Sequence, residues 1–98
     1  MIKVLLAEDE ERAIRFIEKG LSKAGMSVAS CQKMEEIDSF LDEQEFDVLI
    51  LDRLFHNRDS SNLIPKFRKD YPSTRILVLS ALSDVDERVK GLEYGADD

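Results

Sequence analysis

Tryptophan is absent from this 98-residue chain, which has one cysteine, one histidine and two prolines. The lone Cys31 cannot close an internal disulfide, so the fold does not rely on one. Basic residues are in deficit: 14 Lys and Arg face 21 Asp and Glu, a formal net charge of −7. That balance argues against a chain built to neutralise nucleic-acid phosphates or to lie on an anionic membrane, so neither is expected as a partner. Long apolar runs are missing too. Val48-Leu49-Ile50-Leu51 falls far short of a membrane span. The first nine residues run straight into acid and lack the apolar stretch and cleavage site of a secretory signal. A reducing, cytoplasmic setting is the expectation.

What is present is 43% hydrophobic and 36% charged residues, the balance of a folded domain long enough for one core. Two periodicities alternate along it. Ile2 to Ala7 is a short apolar run that gives way to Glu8-Asp9-Glu10-Glu11. Ile14, Ile17, Leu21 and Ala24 then recur at helical spacing, with acid at the start and Gly25 as the stop. Ser27 to Cys31 reads as a short strand. Met34, Ile37, Phe40 and Leu41 mark a second helix, ending near Glu43. Phe46 to Leu51 is nearly unbroken in its apolar character, the mark of a strand buried on both faces of a parallel sheet, and Asp52 follows it. A polar loop spans His56 to Asn62. Leu63, Ile64 and Phe67 begin a third helix that tolerates Pro65 in its first turn. Arg75 to Leu79 is another buried strand, closed by Ser80-Ala81. Ser83 reads as the N-cap of a fourth helix, with Val85, Val89 and Leu92 on one face and Gly95 as its stop. The order βαβαβαβα, with short right-handed connections, predicts one α/β domain over 1–98 with helices on both faces of a parallel sheet.

In such a sheet, ligands bind beyond the carboxyl ends of the strands. The first strand delivers Glu8 and Asp9, the third Asp52 and the fourth Ser80. An acid after a strand can equally be a plain helix cap, and a single serine means little. Their joint placement carries the argument. Two like charges about 4 Å apart repel by roughly 4 kcal/mol at an effective dielectric of about 20. Such a cluster raises a pKa or takes up a cation. All-oxygen donors suit Mg²⁺ or Mn²⁺, whereas Zn²⁺ would want His or Cys.

The sequence resembles the receiver domain of bacterial two-component response regulators. Leu5-Leu6-Ala7-Glu8-Asp9-Glu10, Asp47-Val48-Leu49-Ile50-Leu51-Asp52, Ile76-Leu77-Val78-Leu79-Ser80-Ala81 and Gly91-Leu92-Glu93-Tyr94-Gly95-Ala96-Asp97-Asp98 carry the match, in order along the whole chain. The last segment is most similar to the subfamily with a winged-helix DNA-binding output domain. The resemblance implies a flavodoxin-like three-layer sandwich with sheet order 2-1-3-4. It implies that Asp52 takes a phosphoryl group from a histidine kinase. Asp9, Asp52 and the backbone carbonyl of Leu54 would hold Mg²⁺, with Glu8 a looser or water-mediated ligand. Ser80 would hydrogen-bond the phosphoryl group and switch the following loop, and Ala81 would leave room for that group. Such a domain is not an enzyme beyond assisting its own phosphorylation and dephosphorylation. A receiver-like domain that binds a partner without phosphorylation is the alternative. A flavin- or nucleotide-binding reading fares badly, because the acidic loop after the first strand would repel a phosphate.

The chain departs from the family in two places. The family usually has Pro four residues and Gly eight residues after the phosphoacceptor, where this chain has His56 and Ser60. If Ser60 needs a positive φ, it costs of order 1 kcal/mol relative to Gly. His56 reads either as an exposed loop residue or as a group near the pocket. Leu54 and Leu82 fall where the family flanks the path of attacking water, and Arg53 points away from the pocket by strand alternation. The family's fifth strand, its Lys-Pro pair and its fifth helix have no counterpart before Asp98. The fourth strand would then be an apolar sheet edge, open to pairing with a second copy or to an element swap. Sedimentation of this chain should accordingly show self-association, and a stable soluble monomer would contradict that expectation.

Overall fold

The computed structural model describes residues 1–79. Four parallel strands form its main sheet: β1 (Lys3–Ala7), β2 (Ser27–Cys31), β3 (Val48–Asp52) and β6 (Arg75–Leu79), in the order β2-β1-β3-β6. This is the expected 2-1-3-4 order, with β6 as the fourth sheet strand. The expected fourth helix lies outside the described residues.

The strands with the least polar sequence sit at the centre. Val4 to Ala7 and Leu49 to Leu51 are buried, as expected for strands covered on both faces. Alternate residues feed two cores. On one face Leu5, Ala7, Leu49 and Leu51 pack with Ile37 and Leu41 of α2 (Ile37–Glu43) and Ile64 and Phe67 of α3 (Ile64–Asp70). On the other, Val4, Leu6 and Ile50 meet Ile14, Ile17 and Leu21 of α1 (Glu11–Lys23). The three layers follow from that division.

Some boundaries differ from the sequence reading, for physical reasons. Ala24, expected on the buried face of α1, is exposed, because it caps the helix and the chain turns there. Gly25 follows with φ +86°, the left-handed stop that glycine adopts without strain. Met34 opens the second helical segment as a turn of 3₁₀ helix over Met34–Glu36. Pro65 lies in the first turn of α3, where no backbone donor is lost. In β6 only Ile76 is fully buried; Leu77 to Leu79 are partly exposed, since β6 is the outer strand among the described residues. The segments of α2 and α3 are also linked through side chains. The Tyr71 hydroxyl donates to Asp42 (2.7 Å), and Lys66 pairs with Asp38 (3.0 Å).

The segment after β3 is the main departure. The expected polar loop is a small antiparallel hairpin: β4 (Leu54–Phe55) pairs with β5 (Arg58–Asp59) around His56 and Asn57. Both turn residues have positive φ, 51° and 62°, the signature of a type I′ hairpin turn. Ser60 has φ −84°, so the cost that a positive φ would impose on a serine there does not arise. Its side chain is fully buried, and its hydroxyl donates to the carbonyls of Asp52 (2.5 Å) and Arg53 (3.2 Å). Ser60→Gly should therefore destabilise the domain by about 1–3 kcal/mol in urea unfolding, by loss of these bonds and added chain freedom. A stabilised variant would contradict a supporting role for these bonds.

Candidate functional site

The parallel register sets the site. Ala7 pairs with Cys31 on one side and Leu51 on the other, while Asp52 pairs with Leu79. The carboxyl ends of β1 and β3 are thus level, and the residues that follow them meet. One carboxylate oxygen from each of Glu8, Asp9 and Asp52 lies within 4.8 Å of the others. Glu8 and Asp52 are each 7% exposed, and Asp9 is half-buried. With Leu54, Asn57 and Leu79 the acids line an open cleft of about 500 Å³.

A backbone amide holds each carboxylate. Glu8 Oε1 accepts from the N–H groups of Asp9 and Glu10, both at 3.1 Å. Glu10, the N-cap of α1, makes no side-chain cap. Asp52 Oδ1 accepts from the Leu54 N–H at 3.3 Å. Asp9 Oδ2 accepts from the His56 N–H at 3.0 Å, across 47 residues of sequence. The His56 ring bonds the Gln32 carbonyl through Nε2 at 2.8 Å and places Nδ1 3.6 Å from Asp9 Oδ2. His56 is exposed, as its loop position suggests, yet it also stands at the site.

The electrostatics follow from crowding. Burial, and then the negative charge of Glu8, push the Asp52 carboxyl up to about 7. Burial also raises Glu8, against the pull of the Glu10 amide and the Asp52 hydrogen bond. Burial works the same way on Asp9, but the His56 amide and the Glu8 hydrogen bond outweigh it and hold this acid low. Three acids at one sheet edge cannot all ionise cheaply without positive charge among them.

Arg53 turns to Asp59, with bonds of 3.3 and 3.2 Å. Asp59 also accepts from the Ser61 N–H (3.0 Å) and hydroxyl (2.6 Å). Burial opposes its ionisation, but the Arg53 and Ser61 bonds prevail and bring Asp59 down to about 2. Cys31, at the end of β2, is buried and its thiol is pushed up to about 12, so it is no nucleophile at neutral pH. Ser80 and Ala81 lie outside the described residues, as does Leu82. The parts the sequence did not show are the Asp9–His56 contact and the Ser60 tie behind Asp52. The His56-Asn57 pair, two residues tolerant of a left-handed turn between short flanks, was the one available signal.

The raised Asp52 carboxyl sets a pH dependence. Folded Asp52 keeps its proton to about 7, whereas its ordinary value is 3.8. Its contribution to stability is complete below about pH 4 and is lost as pH rises through about 7. Asp52→Asn should remove that loss. Without divalent cations the variant should gain on the order of 1 kcal/mol or more over the parent between pH 5 and pH 8, measured by urea unfolding. A difference between the two proteins that does not change with pH would contradict the assignment.

A family model described as the response regulator receiver domain matches residues 4–98. The transcriptional activator protein IrlR of Burkholderia pseudomallei is 34% identical over 97 residues, 99% of this chain and 42% of that protein. The probable transcriptional regulator ycf27 of Guillardia theta is 36% identical over 96 residues, 98% of this chain and 37% of that one. The chain thus spans less than half the length of these curated relatives. A response regulator from Thermotoga maritima matches it in structure with a TM-score of 0.89 at 28% identity, covering 100% of this chain and 82% of that chain. Sheet order, acidic edge and sequence agree, and the chain belongs to the receiver-domain family of response regulators.

Proposed function

We propose that the domain is a phosphoacceptor: Asp52 takes a phosphoryl group from the phosphohistidine of a histidine kinase. The observation that carries this reading is the meeting of Glu8, Asp9 and Asp52, their oxygens within 4.8 Å. In the transfer, a carboxylate oxygen of Asp52 bonds to phosphorus as the phosphorus–nitrogen bond breaks, and the imidazole leaves with that bond's electron pair. The product is an acyl phosphate. Asp52 must be ionised to attack, and burial, followed by the negative charge of Glu8, works against this.

The donor set fits a small hard dication. It is all oxygen, compact and strongly anionic, as Mg²⁺ or Mn²⁺ requires. Asp9, Asp52 and the Leu54 carbonyl would hold the ion, with Glu8 a looser ligand. Bound there, the cation supplies neutralising charge for the acids and for the incoming phosphoryl oxygens. The chain's own residues do the rest. The Leu54 amide orients Asp52 Oδ1, and the Ser60 hydroxyl fixes the backbone behind it. Ser80, by its family position, would donate to a phosphoryl oxygen and carry the switch, with Ala81 leaving space. The side chain of Leu54, 43% exposed at the cleft, would slow attack by water on the acyl phosphate.

The domain assists only its own phosphorylation and dephosphorylation. As in the relatives named as transcriptional regulators, its setting would be control of transcription in the cytoplasm. No helix among the described residues is long and apolar enough to cross a membrane.

Incubation with acetyl phosphate and Mg²⁺ should add one phosphoryl mass, labile to hydroxylamine and absent from Asp52→Ala. No gain would favour a partner-binding domain that works without phosphorylation. Mg²⁺ at about 100 times its Kd should add roughly 2.7 kcal/mol of stability. Asp9→Asn should remove most of that gain in a thermal melt.

A further inference from the structure

We propose that His56 is the positioning residue for Asp9, fixing the carboxylate that the cation would meet. The proposal rests on the reading of Glu8, Asp9 and Asp52 as a cation site. It adds a component that none of the acids provides.

Glu8 and Asp52 are held by amides one or two residues away, contacts the local chain supplies. Asp9 depends on an amide distant in sequence, the His56 N–H at 3.0 Å, from the hairpin that follows the neighbouring strand β3. That amide points at Asp9 while His56 keeps φ at 51°, a left-handed conformation that histidine visits more readily than most residues but that still costs more than the right-handed one. Two contacts of the ring hold it there. A carbonyl can only accept, so the 2.8 Å contact to Gln32 means that Nε2 carries a proton and donates it. Phe55 meets the same ring edge-on at 5.4 Å between centroids.

The anchor point closes a circuit. Gln32 follows Cys31, whose carbonyl accepts the Glu8 N–H at 3.1 Å. Glu8, the end of β2, His56 and Asp9 are therefore linked in one chain of bonds. The outer strand of the hairpin adds a further tie to the same segment, from Arg58 to Glu35 at 2.7 Å. With Oδ2 engaged, the Asp9 carboxylate is ordered before any ion arrives, and less freedom is lost on binding.

The test uses Mn²⁺, followed by the loss of its free-ion electron paramagnetic resonance signal, with Mg²⁺ as competitor. It compares the parent with two variants. His56→Gly relaxes the left-handed backbone and deletes the ring. His56→Asn tolerates that backbone and keeps it restrained, but its side chain is too short to reach Gln32. Both variants should bind both ions about tenfold more weakly. Their metal-free melting temperatures should stay within about 3 °C of the parent. Unchanged affinity in either variant overturns the proposal and leaves the cation site standing. Weaker binding that comes with a larger fall in metal-free melting temperature also overturns it, because it shows general support of the fold. A parent that binds neither ion overturns both this inference and the reading beneath it.

Discussion

Mutual repulsion among three carboxylates at the carboxyl edge of the sheet is the constraint to which the surrounding structure answers. Parallel pairing brings Glu8, Asp9 and Asp52 level, and burial of the strands takes two of the three out of water. Backbone amides meet part of the cost, since each acid accepts at least one. They do not meet all of it, as the raised Asp52 carboxyl shows. The same fold that stabilises the sheet thus leaves a local deficit of positive charge at its mouth. A cation bound at such a site would relieve that electrostatic cost.

The hairpin after β3 is this chain's own answer to how the mouth is bounded. Where the family usually has Pro and Gly, the segment here folds into two short strands around a left-handed pair. It is closed at its base by Ser60 and by Asp59, whose carboxylate gathers Arg53 and Ser61. It is closed at its tip by His56. Most of these bonds are shielded or run to backbone groups, so they do not depend on screened surface attraction, with the Arg58–Glu35 pair as the exposed exception.

Much of this was legible in the sequence because it depends on period and on strand ends. The uninterrupted apolar runs at Val4–Ala7 and Leu49–Leu51 identify central strands, and the acids after them can only stand at the carboxyl edge. The resemblance to a family then supplied roles. The hairpin was not legible, for a physical reason. Strands of two residues are too short to show alternation, and His56-Asn57 is a weaker turn signal than a glycine-containing pair. The role of Ser60 was not legible because it lies in a hydroxyl that reaches back eight residues to a carbonyl, a contact that requires the folded hairpin. Apolarity alone marked Leu77 to Leu79 as buried, and it was their place at a sheet edge that pointed to the partial exposure they show among the described residues.

The bond from Ser60 to the Asp52 carbonyl has a mechanical corollary. The main chain behind that carboxyl group is bolted on one side by a buried hydroxyl and on another by pairing with Leu79. Bulk added to the side chain would face the cleft, where it would meet Leu54, Asn57 and Leu79.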